Sequence, residues 1–133
     1  MPTSQLTAPT KLLIDRLCSQ LLSYQNNLEG IELRERVLRL LEVQKAVRKL
    51  GVALAVDAGL SSSGAKERLR GYLLKYKGHV IEADELSAIS GVSEYGRRVR
   101  ELRENEGFKI LTGPAKNPKT GQPLRPDQYL LVD

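Results

Sequence analysis

The stretch Gly91–Gly107, GVSEYGRRVRELRENEG, limits the fold of this chain more than any other. Gly91 signals a turn, Ser93 is a residue type that caps helices, and Gly107 is a natural stop. The spacing between them predicts a helix from Ser93 to Asn105. At about 100° per residue, Tyr95, Val99 and Leu102 share one face. Arg97, Arg100, Glu101 and Glu104 lie opposite, with Arg98 and Arg103 on the flanks. Such a helix must lay its apolar face on a core and leave its arginines outside. Two readings of the outer face stand level. A basic helix held after a tight turn suits a DNA groove. Equally, Glu94/Arg98, Arg97/Glu101 and Arg100/Glu104 are spaced i,i+4, as in a solvated face laced with ion pairs.

The segment C-terminal to this helix favours the first reading. Phe108–Thr112 (FKILT) and Gln128–Val132 (QYLLV) read as strands. Between them GPAKNPKTGQPLRPD carries three prolines before Arg125, a fourth after it, and two glycines. From Phe108 to Pro126 the basic residues are Lys109, Lys116, Lys119 and Arg125, and there is no acidic one. A proline-stiffened hairpin of this charge suits a phosphate backbone or a minor groove. The plain alternative is an ordinary soluble loop, although loops of this length usually have a function.

Upstream, AKERLRGYLLKY predicts a helix that brings Leu69, Tyr72, Leu73 and Tyr76 to one face, ended by Gly78. Val80 and Ile81 form a short extended piece. Ala83–Ser90 is a short helix with Asp84 and Glu85 in its first turn, where the helix dipole favours them, and with Leu86 and Ile89 inward.

The first half of the chain has a different pattern. Residues 1–9 read as a flexible leader. From Thr10 to about Asn27, Ile14, Leu17, Leu21, Tyr24 and Leu28 keep the spacing of a coiled-coil seam. Asn26, Asn27 and Gly30 supply a turn, and a second helix runs from about Ile31 to Leu50 with Leu33, Val37, Leu40 and Val47 on one face. Gln44 falls on that face as well, a polar seam residue of the kind that sets register. Leu12, Cys18, Leu22, Leu38, Val43 and Leu50 add apolar surface beyond the two seams. A two-helix hairpin cannot bury all of this, so the excess must meet the second domain or a second copy; the second copy is preferred, because readers of palindromic DNA are usually dimers. Gly51–Leu60 either prolongs the helix or becomes extended, and residues 57–64, DAGLSSSG, are the best candidate linker. The expected organisation is therefore a helical hairpin over 1–60, serving dimerisation, and a second domain over 61–133. The fold class is mainly α with a small β-hairpin, that is, α+β.

Composition removes several function classes. No run approaches the roughly 18 to 20 apolar residues of a membrane helix, so no membrane partner is expected. MPTSQLTAPT lacks the basic and apolar regions of a signal peptide. A single cysteine, Cys18, excludes an internal disulfide and fits a reducing cytoplasm. The single histidine, His79, cannot build a structural zinc site, which needs about four Cys or His ligands. It stands between Gly78 and Val80 without a catalytic motif and reads as a surface or strand-edge residue. No phosphate-cradling glycine motif is present. The expectation is a binding protein and not an enzyme, with no cofactor, no metal and no catalytic residue. A net charge of +5 favours an anionic partner.

The order helix, short strand, helix, turn, basic helix, strand, Pro/Gly loop, strand resembles a winged helix-turn-helix domain over roughly residues 63–133. LSAISGVSEYGRRVRELRENEGFKIL and the closing QYLLV carry the resemblance. GVSEYGRRVREL also resembles winged-helix modules that accompany nucleases in bacterial restriction and defence proteins. The chain has no His/Asn-rich nuclease cluster, so such a nuclease would be a separate protein.

The resemblance implies double-stranded DNA as partner, and the work of a transcriptional regulator or of a recognition component in restriction or defence. It implies contacts from Ser93, Glu94, Arg97, Arg98, Arg100 and Arg103 in the major groove, with arginines on guanine edges and Glu94 on a cytosine amino group. Gly96 would permit close approach there. Lys109, Lys116, Lys119 and Arg125 would hold phosphates. One position departs from the pattern. Common winged-helix regulators carry an aliphatic residue about six positions after the turn glycine, where this chain has Arg97, with Val99 the next apolar residue. The recognition helix is therefore expected to start or rotate differently. The other reading kept open is a winged-helix module that binds an acidic protein surface, since fold alone does not give function.

Overall fold

The computed structural model describes residues 5–132 and divides at Gly59 and Leu60 into two compact units. In the first, α1 (Ala8–Asn26) and α2 (Leu33–Asp57) form an antiparallel pair. Thr7 caps α1, its Oγ1 accepting from the Thr10 amide at 3.4 Å, and Pro9 sits in the first turn, where a missing N–H does no harm. The helix thus takes in Ala8 and Pro9, which the sequence assigned to a leader; residues 1–4 of that leader lie outside the described residues.

The ambiguous segment after Leu50 is helical, and α2 runs on to Asp57. A tertiary contact explains its length. The Asp57 carboxylate accepts from the Thr7 amide at 3.2 Å and from Thr7 Oγ1 at 3.0 Å, joining the end of α2 to the start of α1. Hydrogen bonding from Thr10, with further bonds from Thr7, holds this carboxyl below its ordinary value. At the other end the Tyr24 hydroxyl donates to the Arg36 carbonyl at 3.3 Å. Of the residues in α2 only Val43 and Ala55 are buried, Val43 lying beside Gln20, Ser23 and Tyr24 of α1. The stripe Leu33, Val37, Leu40 and Val47 is left exposed, Leu33 by 74%.

The second unit runs α3 (Ala65–Lys75), β1 (Ile81–Glu82), α4 (Ala83–Ser90), α5 (Tyr95–Asn105), β2 (Ile110–Thr112) and β3 (Gln128–Leu131). The three strands make one antiparallel sheet in the order β1-β3-β2. Ile81 pairs with Tyr129, and Ile110 with Leu131. The chain is therefore α+β, mostly helical with a small antiparallel sheet that gains a third strand from the short piece before α4.

Leu69 and Leu73 of α3, Ile81, Leu86 of α4, Val99 and Leu102 of α5, Ile110 and Leu131 form the core of this unit. Tyr72, Ile89, Tyr95, Phe108 and Tyr129 pack against it. Tyr76, expected on the inner face, lies just past the end of α3 and remains 39% exposed, its ring 4.9 Å from that of Tyr72. Helix α4 has the expected bounds because both ends are specified locally. Glu82 and Glu85 form a reciprocal capping box, and Gly91 closes the helix in the left-handed conformation at φ 73°.

Candidate nucleic-acid interface

Val99 and Leu102, each 1% exposed, fasten α5 to the core. The helix therefore has a fixed rotation, and its opposite face must project. It starts at Tyr95, two residues later than the sequence suggested, with Glu94 at the cap position and no side-chain cap bond. Ser93 is exposed in the turn ahead of it. Capping chemistry is absent there because Ser90 organises the turn instead, its Oγ accepting from the Val92 amide at 3.3 Å.

A second residue, which sequence reasoning passed over, holds this turn in place. Arg68 of α3 is only 6% exposed. Its Nε donates to the Ile89 carbonyl at 3.0 Å, Nη2 to the Ser90 carbonyl at 2.6 Å and Nη1 to the Ser61 carbonyl at 3.3 Å. Burial pulls its guanidinium below the ordinary arginine value. In the sequence Arg68 is one basic residue of a charged helix, and its i,i+4 spacing carries no sign of a partner 22 positions away.

The four arginines of α5 are not equivalent. Arg97 and Arg98 both reach Oε1 of Glu101, at 3.6 and 3.1 Å. Arg103 donates from Nε to the Ile110 carbonyl at 3.0 Å. Arg100 is exposed and, among the described residues, has neither an ion pair nor a side-chain hydrogen bond. Of the three expected i,i+4 pairs only Arg97/Glu101 forms among the described residues. Glu106, just beyond α5, instead pairs with Lys66 of α3 at 3.1 Å, and this bond holds the lysine amine above its ordinary value. Burial raises the Tyr129 hydroxyl, while the charges of Arg103 and Arg100 act on it in the opposite sense.

The segment between β2 and β3 is an ordered ribbon. Asn117 donates to the Gln122 carbonyl at 2.9 Å, Gly121 to Asn117 at 2.8 Å and Leu124 to Ala115 at 2.8 Å, and the Leu124 side chain is buried. A Cβ on Gly113 would stand 2.5 Å from the Leu124 carbonyl oxygen, so only glycine allows the two arms of the ribbon to cross this closely. Lys116 and Lys119 are exposed on the ribbon. Lys109 is exposed at the entry to β2, where its carbonyl accepts from the Val132 amide at 3.1 Å. Arg125 has a different setting. It meets Glu82 at 3.2 Å and Asp127 at 3.4 Å. The run from Phe108 to Pro126 is acid-free in sequence, but the fold carries Glu82 to it from β1.

Among the described residues, no group of three or more His, Cys, Asp or Glu is arranged to hold a metal ion. No helix among them is long and apolar enough to cross a membrane. No curated protein and no solved structure matches the chain. Residues 66–132 match a family described as the KpnI N-terminal domain, which is related to restriction enzymes. The match takes in the whole second-unit core, the α5 arginines and the basic ribbon. Spanning half of the sequence, it establishes that the chain belongs to the KpnI N-terminal domain family.

Proposed function

We propose that residues 60–132 are a winged helix-turn-helix that binds double-stranded DNA, as the recognition component of a restriction or defence system. The observation that carries this reading is the fastening of α5 by Val99 and Leu102, which presents an arginine face next in sequence to a glycine-braced ribbon bearing Lys116 and Lys119. The element order and the β1-β3-β2 sheet support the winged-helix assignment. The family's tie to restriction enzymes supports a restriction role over that of a general transcriptional regulator. In this reading the domain works in the cytoplasm, does no chemistry itself, and directs a nuclease supplied by a separate partner.

The ion pairs from Arg97 and Arg98 to Glu101 favour a second reading, in which the same face docks on an acidic protein surface. Titration of the full chain with mixed-sequence duplexes separates the two. DNA recognition requires binding at low salt that weakens by about one log unit per log salt for each phosphate contact. Undetectable binding at low salt would rule it out and leave the protein-docking module.

The first unit has its own part in this proposal. Its exposed stripe Leu33, Val37, Leu40 and Val47 keeps coiled-coil spacing, with Gln44 among them. A second copy of the same helix pair covers such a surface and gives a homodimer with two reading heads.

A further inference from the structure

Gly96 stands in the first turn of α5 without any internal reason to be glycine. Its φ is not positive. A Cβ built on it meets nothing within 4 Å. Glycine is among the poorest helix formers, so a residue with a side chain would suit the free protein better. The missing side chain therefore makes sense against something outside the chain that comes close to the helix backbone.

Three stripes at i, i+4, i+7 run along the helix, with Arg98 and Asn105 outside them. Tyr95, Val99 and Leu102 face the core. Arg97, Glu101 and Glu104 form an outer stripe in which the arginine is offset by acids. Gly96, Arg100 and Arg103 form the remaining stripe, which has no acidic residue. Arg100 has neither an ion pair nor a side-chain hydrogen bond among the described residues, and Arg103 is bonded through Nε to Ile110, which orients the guanidinium and leaves its Nη groups available. Gly96 also carries one of the first-turn N–H groups that a helix cannot satisfy internally.

We propose that the Gly96–Arg100–Arg103 stripe seats a phosphodiester of the DNA backbone, with the strand passing over Gly96 and its phosphate oxygens held by the two guanidiniums. The proposal rests on the DNA-binding reading above and assigns α5 its edge of approach. A phosphate is the matching ligand because two guanidiniums that form no ion pair among the described residues make a strong anion clamp, and a backbone lacking Cβ admits a bulky diester. The helix thus enters its groove by this edge, which turns Arg97 and Arg98, with Ser93 and Glu94, toward the bases.

The test compares the full chain with Gly96→Ala, Arg100→Ala and Arg97→Ala by melting and by titration with a short mixed-sequence duplex at several salt concentrations. Gly96→Ala is expected to melt higher than the wild type yet bind roughly tenfold more weakly. Arg100→Ala is expected to lower the slope of log affinity against log salt by about one, and Arg97→Ala by much less. The proposal is overturned if Gly96→Ala binds as the wild type does, if it melts lower, or if Arg97→Ala flattens the slope as much as Arg100→Ala. Those results leave DNA binding itself standing. A wild type that binds no duplex overturns both.

Discussion

Arg68 on α3 donates to the Ser90 carbonyl at 2.6 Å, so a buried guanidinium closes the last turn of α4 just before Gly91. The last carbonyls of a helix have no donor within it, and a cation there also complements the helix dipole. One side chain thereby ties α3, the end of α4 and the turn that leads into α5.

Arg68→Met keeps most of the aliphatic stem but removes every donor. It is expected to destabilise the second unit by about 2 to 3 kcal/mol, because the carbonyls of Ile89 and Ser90 lose the partner that burial requires. Arg68→Lys should recover only part, since an ammonium cannot span the same fork of acceptors. Urea denaturation of the full chain checks both; a neutral Arg68→Met contradicts the capping role.

Gly113→Ala is expected to disrupt the ribbon. The new methyl would lie 2.5 Å from backbone atoms of Leu124 and Arg125, which cannot swing away as a side chain can. A loss of about 2 kcal/mol or more is expected, with Leu124 released from its buried position. Hydrogen exchange at the Leu124 amide, which donates to Ala115, reports the change directly.

The basic residues should separate into classes when duplex binding is titrated against salt. Lys116→Ala and Lys119→Ala are expected to weaken preferred and scrambled duplexes alike and to lower the salt slope by about one unit each. Arg125→Ala should do less, because Glu82 and Asp127 already share its guanidinium in the free protein. Arg97→Ala is expected to cost about 1 to 3 kcal/mol on a preferred site and much less on scrambled DNA. If the preferred-to-scrambled ratio survives in both Arg97→Ala and Arg98→Ala, specificity must come from the ribbon or from DNA shape.

The α2 stripe leads to a test of assembly. The full chain at micromolar concentration is expected to show the mass of a dimer by sedimentation or native mass spectrometry. Leu33→Lys combined with Leu40→Lys should yield a monomer that keeps its helix content, because neither side chain is buried in the single copy. A monomeric wild type would remove the first unit from any role in self-pairing.

Much of the second unit was legible in the sequence because the signals involved are local. The 3.6-residue period of Leu69, Leu73, Val99 and Leu102 identified the buried faces, and Gly91 with the acids at the start of α4 marked that helix to the residue. The α+β class came from the same order of periods and breaks. What the sequence could not supply were contacts between distant positions. Thr7 and Asp57, fifty residues apart, decide that α1 begins early and α2 ends late. The short extended piece at Val80 and Ile81 was legible, but its pairing with β3 at Ile81 and Glu82, which makes it a third strand of the sheet, was not. The charges on α5 and the ribbon were countable in advance and the spacing offered the Arg97/Glu101 pair, but the availability of the others was not legible. Glu101 takes up two arginines through helix geometry, Ile110 takes the Nε of a third, and Glu82 reaches Arg125 across 43 residues. Periodicity reports which way a side chain faces, since that depends only on the backbone beneath it. Pairing depends on which other backbone arrives opposite, and only the tertiary structure decides that.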